Sequence, residues 1–150
     1  MKILLAGAAG QLGREIQPLL SGMGAVTAVD RLFPPDGPQG LELDLADSKN
    51  VEALLEDLRP DVIVNAAAYT AVDAAEDEPG AAYRINADFP GLLAKHAASS
   101  GAFLLHYSTD YVFSGKAQKP YLESDQTGPL GVYGASKLAG EEVIAASGCR

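Results

Sequence analysis

The sequence predicts an α/β fold, a doubly wound parallel sheet with strand order 3-2-1-4-5. Three observations carry that prediction. A short apolar run, residues 3–6, leads straight into Gly7-Ala-Ala-Gly-Gln-Leu-Gly13 and then into a helical pattern. Apolar strand-like runs then alternate with amphipathic helical stretches along the chain. A late helical segment finally brings Tyr133 and Lys137 one turn apart. Parallel strands joined by helices cross over right-handed, which leaves few topologies open.

The elements follow in order. Residues 3–6 read as a buried strand, and residues 11–20 as a helix with Leu12, Ile16, Leu19 and Leu20 at helical spacing and Pro18 near its end. Residues 25–29 form the second strand, closed by Asp30. Residues 33–40 hold three prolines and two glycines and are a loop. Residues 41–43 are a brief third strand. Ser48 starts a helix through Leu58 with Val51, Leu54, Leu55 and Leu58 on one face, and Pro60 ends it. Residues 61–65, Asp-Val-Ile-Val-Asn, are the clearest buried strand. Residues 79–98 look helical, with Pro90 expected to kink or divide them. Residues 102–107 are a fifth strand, residues 114–131 an irregular polar loop, and residues 133–146 a helix. The chain stops soon after that helix, where a further strand is expected, so it reads as an incomplete unit.

Composition bounds the function. One domain of 150 residues with 47% hydrophobic and 21% charged residues is ordinary for a soluble globular protein. A formal net charge of −9 argues against a nucleic-acid surface. Cys149 is the single cysteine, so an intrachain disulfide or a cysteine metal cluster is not expected. The two histidines, His96 and His106, fall on different elements, and no metal site is predicted. The N-terminal apolar run is too short for a signal peptide or a membrane span, which suggests a cytoplasmic protein with no membrane partner.

Gly7, Gly10 and Gly13 open the first helix directly after the first strand. Backbone without Cβ at Gly7 and Gly10 can approach a pyrophosphate, and the helix N-terminus offers free N–H groups. Gly13 would let the helix pack closely on the sheet. Asp30, 17 residues beyond Gly13, is placed for the adenosine ribose hydroxyls, while neighbouring Arg31 could instead meet a 2′-phosphate. NADH and NADPH therefore both stay open. Asp44, after the third strand, can accept from an adenine amino group or cap a helix.

At the reacting end, a lysine one helical turn from a tyrosine is expected to bring its ammonium beside the phenol, a charge that favours the phenolate. Such a phenol can protonate an alkoxide as hydride reaches a carbonyl carbon, and Lys137 could also reach a nicotinamide ribose. Ser108 and Thr109, after the fifth strand, are the candidates for a second hydroxyl. The small residues 66–68, after the fourth, would let a flat ring lie close, though they suit plain packing equally.

These motifs, with Thr70-Ala-Val-Asp73, Ser108-Thr-Asp-Tyr-Val-Phe113 and Val132-Tyr-Gly-Ala-Ser-Lys-Leu-Ala-Gly-Glu141, resemble the extended short-chain dehydrogenase/reductase family. Within it the likeness is to the branch that reduces dTDP-4-keto-6-deoxy sugars in dTDP-rhamnose biosynthesis. The resemblance implies a Rossmann-type oxidoreductase domain over residues 1–150 with Thr109, Tyr133 and Lys137 as the catalytic set. It implies that Gly10, Gln11, Leu12, Asp30, Asp44, Leu45, Ala67, Ala68 and Tyr69 line an NADPH or NADH site, and that Thr109 and Asp110 touch a sugar-nucleotide substrate. It also gives Asn86 a structural place on the central helix, with helix packing an equal account. A homodimer is a further expectation. Other sugar-nucleotide epimerases or dehydratases, and a nucleotide-binding regulatory subunit such as that of methionine adenosyltransferase, share these strings. Members of the family run to nearly twice this length, so the half that supplies the sugar-nucleotide pocket is expected to be absent.

Overall fold

In the computed structural model, which describes residues 1–150, five parallel strands form one sheet in the order β3-β2-β1-β4-β5. The strands are β1 (Lys2–Ala6), β2 (Ala25–Asp30), β3 (Leu41–Glu42), β4 (Val62–Asn65) and β5 (Phe103–His106). The helices are α1 (Gln11–Ser21), α2 (Ser48–Leu58), α3 (Val72–Asp77), α4 (Pro79–Tyr83), α5 (Phe89–Ser100) and α6 (Val132–Ser147). The predicted strand order is observed. The carboxyl ends of β1, β4 and β5, at Ala6, Asn65 and His106, therefore lie side by side on one sheet edge.

Strand alternation sends successive side chains to two cores. Leu4, Ala6, Val29, Ile63 and Leu104 pack with α2 and α5 through Val51, Leu55, Leu93, Ala94 and Ala97. Ile3, Leu5, Ala28 and Val64 face the other way, where α1 contributes Ile16 and Leu20. Leu12 and Leu19, expected on the same apolar stripe, are exposed. One helix on that face does not reach β5, and Phe103 and Leu105 remain 50% and 40% exposed. Beyond β5, the Leu104 N–H donates to the Arg150 carbonyl at 2.9 Å, so the last residue already pairs with the sheet. No helix is long and apolar enough to cross a membrane.

The structure resolves two local readings that the sequence left open. The α2 cap is Asp47, whose carboxylate accepts from the Lys49 and Asn50 N–H groups, so Asp44 is not the cap; its side chain accepts from the Ala46 N–H instead. The stretch 79–98 is divided before Pro90 by a π-helical turn, Arg84–Asp88. Pro90 has no N–H for the Asn86 carbonyl and its ring would crowd that oxygen in a regular α-helix; the wider turn removes the conflict. The freed Asn86 carbonyl then lies against α6 at Gly140, where a Cβ would overlap it. Pro18 sits inside α1 without ending it.

Gly140→Ala is therefore expected to lower the unfolding free energy by about 1–3 kcal/mol through overpacking. Gly80→Ala, in α4 with open space around the added methyl, should be neutral or stabilising by roughly 0.5–1 kcal/mol. Urea unfolding of the two variants checks both signs. Equal destabilisation would show that the α6 contact is not the limiting fit.

Candidate active site

The first part of the site is the turn between β1 and α1. Gly7 has φ +79, and a Cβ there would meet the backbone of Ala66 and Ala67 at 2.5–2.7 Å. The same turn brings the Gly7 carbonyl against Gly13, so a side chain at Gly13 would collide with it. The Gly7 and Ala8 N–H groups donate to the Val29 carbonyl, and Gly10 donates to Gly7. Ala9 N–H donates to the Asp30 carboxylate at 2.9 Å. Arg14 is the first residue of α1 to find an intrahelical acceptor. The N–H groups of Gln11, Leu12 and Gly13 are left to point out of the helix end, as an anion site requires. These residues fit a dinucleotide pyrophosphate.

Asp30 stands at this turn as predicted, and it also holds the turn together. One oxygen takes the Ala9 N–H and the other the Arg31 N–H, at 2.7 Å. A carboxylate offers about four acceptor positions, so two remain for ribose hydroxyls. The exposed Arg31 guanidinium makes no hydrogen bond within the protein. Leu45 is buried in the core, so only its backbone can face a ligand.

The loop after β4 is fixed by Asn86. Its Oδ1 accepts from the Tyr69 N–H at 2.8 Å, and its Nδ2 donates to the Tyr69 carbonyl at 3.1 Å and to the Ser136 hydroxyl at 3.0 Å. Both amide protons are used, and Asn86 is 0% exposed. Asn86 is thus a structural tie between the loop 66–69 and α6. Ser136 passes the tie on by donating to the Tyr133 carbonyl at 2.8 Å. The Tyr69 hydroxyl donates to Glu78 at 3.0 Å, and that bond pushes the phenol's pKa up. Ala67 is buried, while Ala68 and Tyr69 are half-buried at the sheet edge.

The catalytic candidates sit on the β5 end and on α6. Helix α6 starts at Gly131, which has no side chain to cap it; Glu76 of α3 supplies the cap by accepting from the Val132 N–H at 2.8 Å. Tyr133 is half-buried and meets Tyr111 edge-on, ring centroids 5.5 Å apart at 75°. Its hydroxyl has no protein partner. Of the two hydroxyl candidates, Ser108 is committed to Glu141 of α6. Thr109 caps the turn Asp110–Val112 by accepting from the Tyr111 N–H at 3.2 Å, and its own proton has only a long 3.4 Å contact to Asp110. Thr109 is the hydroxyl with a donor to give.

Lys137 departs from expectation. It is 2% exposed, and its Nζ donates to the Tyr107 carbonyl at 2.6 Å and lies 3.3 Å from His106 Nε2. It makes no hydrogen bond to Tyr133. The side chain expected beside the phenol is turned instead toward the end of β5, where the Tyr107 carbonyl and the His106 ring give the desolvated amine polar partners. Burial pulls the Lys137 pKa down to about 8, against the opposing pull of Glu141. Burial also lowers His106, with the Lys137 charge adding to it, to about 4. His106 in turn receives Asn65: Asn65 Nδ2 lies 3.0 Å from His106 Nδ1. Glu76 and His106 lie outside the quoted motifs, and Asn65 and Ser136 lie inside quoted strings that gave them no role. Glu76 lies 56 residues from the amide it caps, so no local pattern signals it.

The chain is similar to known proteins in both sequence and fold. A family model described as RmlD substrate binding domain matches residues 1–150. A curated dTDP-4-dehydrorhamnose reductase of Burkholderia thailandensis is 45% identical over 148 residues, 99% of this chain and 47% of that protein. The crystal structure of a dTDP-4-dehydrorhamnose reductase from Clostridium acetobutylicum superposes with TM-score 0.86 at 43% identity, covering 97% of this chain and 49% of that one. A dTDP-4-dehydrorhamnose reductase from Bacillus anthracis in complex with NADP does so with TM-score 0.84 at 35% identity, covering 97% and 49%. The chain spans about half the length of the curated relatives it matches.

His106 is expected to stay neutral until the pH falls to about 4, seen as imidazole carbon shifts that do not move between pH 7 and 5. Its folded pKa is below its ordinary 6.5, so the unfolded chain binds the extra proton first. The stability it contributes is full above pH 6.5 and is lost as the pH falls through about 4. Lys137→Met, which removes the neighbouring charge, should raise the His106 midpoint. A midpoint near 6.5 in the wild type would mean the ring is not buried as described.

Proposed function

The chain belongs to the RmlD substrate binding domain family, and on that premise we propose that it forms the NAD(P)-binding and catalytic part of a reductase. The reaction is reduction of the C4 keto group of dTDP-4-dehydro-6-deoxy-L-mannose to give dTDP-L-rhamnose. One observation supports this reading above the others. The unclaimed amides of residues 11–13, the free Tyr133 hydroxyl, the Thr109 hydroxyl and the buried Lys137 are carried by elements that meet at a single sheet edge. Open parallel sheets take nucleotides at that edge.

A nicotinamide cofactor held by the α1 amides and Asp30 would supply the hydride. Everything else falls to side chains of the chain. The amides at the start of α1 hold the pyrophosphate, and Asp30 faces the adenosine end. Tyr133, whose hydroxyl owes no bond to the protein, protonates the developing alkoxide, and Thr109 donates a second hydrogen bond to the same oxygen. Asp110, beside Thr109, faces the sugar. A water-soluble cofactor and substrate fit a cytoplasmic setting.

Binding is tested on the chain itself by calorimetry with NADH and NADPH. Asp30→Ala should weaken NADH more than NADPH, since the carboxylate accepts from hydroxyls but repels a 2′-phosphate. No heat with either nucleotide at millimolar concentration would count against the cradle. Turnover is tested in a protein that carries this segment at the length of its relatives. There Tyr133→Phe should lower the rate by about 10²–10⁴ with cofactor affinity little changed. Near-normal turnover by that variant would remove Tyr133 from the mechanism.

A further inference from the structure

The hydrogen-bond chain that ends on Lys137 fixes where its protons sit. It starts at the Ala67 N–H, which donates to Asn65 Oδ1 at 3.1 Å. A backbone N–H can only donate, so this bond settles which way the Asn65 amide faces. Nδ2 must then point to His106, and an amide NH₂ can only donate as well. His106 Nδ1, 3.0 Å away, is therefore an acceptor and carries no proton.

A neutral imidazole with a bare Nδ1 carries its proton on Nε2. That nitrogen faces Lys137 Nζ at 3.3 Å. An ammonium has three donors and no acceptor, so Nε2–H against a charged Lys137 would set two donors face to face. A neutral amine resolves the conflict. Its lone pair accepts from Nε2–H while one of its own protons goes to the Tyr107 carbonyl at 2.6 Å. Each polar atom of the chain then has a partner of the opposite kind, as buried polar groups require.

We propose that His106 is a positioning residue for Lys137: held as its Nε2–H tautomer by Asn65, it donates to the Lys137 amine and favours the neutral form of that amine. The proposal rests on Lys137 belonging to the catalytic set. The opposite state is expensive to reach. To accept from an ammonium, His106 would have to move its proton to Nδ1, which turns Nδ1 into a donor facing Asn65 Nδ2. Flipping the Asn65 amide would repair that contact but leave the Ala67 N–H without its acceptor. Protonation of Lys137 is thus tied to a tautomer change and an amide flip two residues away.

The other titratable groups on the elements that meet here are Tyr133, Glu141 and Glu142 on α6, Tyr107 just after β5, and Asp110 and Tyr111 on the following turn. Glu141, one turn beyond Lys137, favours the ammonium and so opposes His106. Burial acts in the same direction as His106, which is why a measurement must separate the two.

The test is nitrogen-15 NMR of the histidine-labelled chain, with no nucleotide or sugar present. The expected result at pH 9, above the Lys137 midpoint of about 8, is a His106 Nδ1 resonance in the unprotonated range and Nε2 in the protonated range. The reverse assignment overturns the proposal without any variant. A second measurement follows the Lys137 side-chain titration in wild type and in His106→Phe. Phenylalanine keeps the site dry but offers no N–H, so loss of the donor should raise the proton affinity of Lys137 by about tenfold or more. An unchanged or lowered affinity would show that burial alone sets the amine, and the proposal fails. Neither readout depends on reductase turnover, so failure here and failure of the functional reading are told apart.

Discussion

One buried amide holds the two halves of the site in register. Asn86 spends its carbonyl oxygen and one N–H on the peptide of Tyr69, and its other N–H on Ser136. The loop that closes β4 and the helix that carries Tyr133 and Lys137 are thereby bolted to the same side chain. The amide is brought there by the π-helical turn before Pro90, which also presents the Asn86 carbonyl to Gly140. Helix geometry, a missing proline N–H and a missing glycine Cβ together set the distance between cofactor loop and catalytic helix. Truncating Asn86 would leave the Tyr69 peptide without its buried partners, which costs on the order of 1–3 kcal/mol.

The sequence made the strand order and the glycine turn between β1 and α1 legible, because apolar runs, helical spacing and glycines are written in local patterns. Glycines at fixed spacing after an apolar run, and Tyr and Lys one turn apart, need no knowledge of distant contacts. What was not legible lies in contacts between distant segments. Helix α3 is six residues long with no capping side chain, too short for periodicity to reveal among so many alanines. The π turn is an adjustment to Pro90 that the pattern could place only as a kink. The choice between Ser108 and Thr109 turned on Glu141, 33 residues from Ser108. The direction of Lys137 turned on His106, 31 residues away. A four-residue spacing states that two side chains share a helix face, not that they touch.

The two sheet faces are unequal. The face shared by α2, α5 and α6 is closed over Ile63 and Leu104, whereas on the other face β5 leaves Phe103 and Leu105 to solvent. Parallel strands are ordinarily covered on both sides. The uncovered side chains belong to the strand whose far end carries Ser108 and Thr109. The same strand thus offers apolar surface on one side and catalytic groups at its tip.

Helix α6 shows how the fold trades stability for aim. Its fully buried residues are Gly134, Ser136, Lys137 and Gly140, not a stripe of leucines. Apolar contacts are non-directional and would let the helix slide or roll by a fraction of an ångström at little cost. Glycine contacts bring backbone to backbone at fixed separation. The hydrogen bonds that Glu76 accepts from the Val132 N–H, that Asn86 donates to Ser136 and that Lys137 donates to Tyr107 each fix a direction. A proton donor must be held within about half an ångström of its working position. Four small or polar buried residues accomplish that for Tyr133 where a greasier helix would bind more firmly and point less well. The burial of Lys137 is the sharpest form of the trade: an amine kept out of water at some cost to folding, in return for a place and a protonation state dictated by its neighbours.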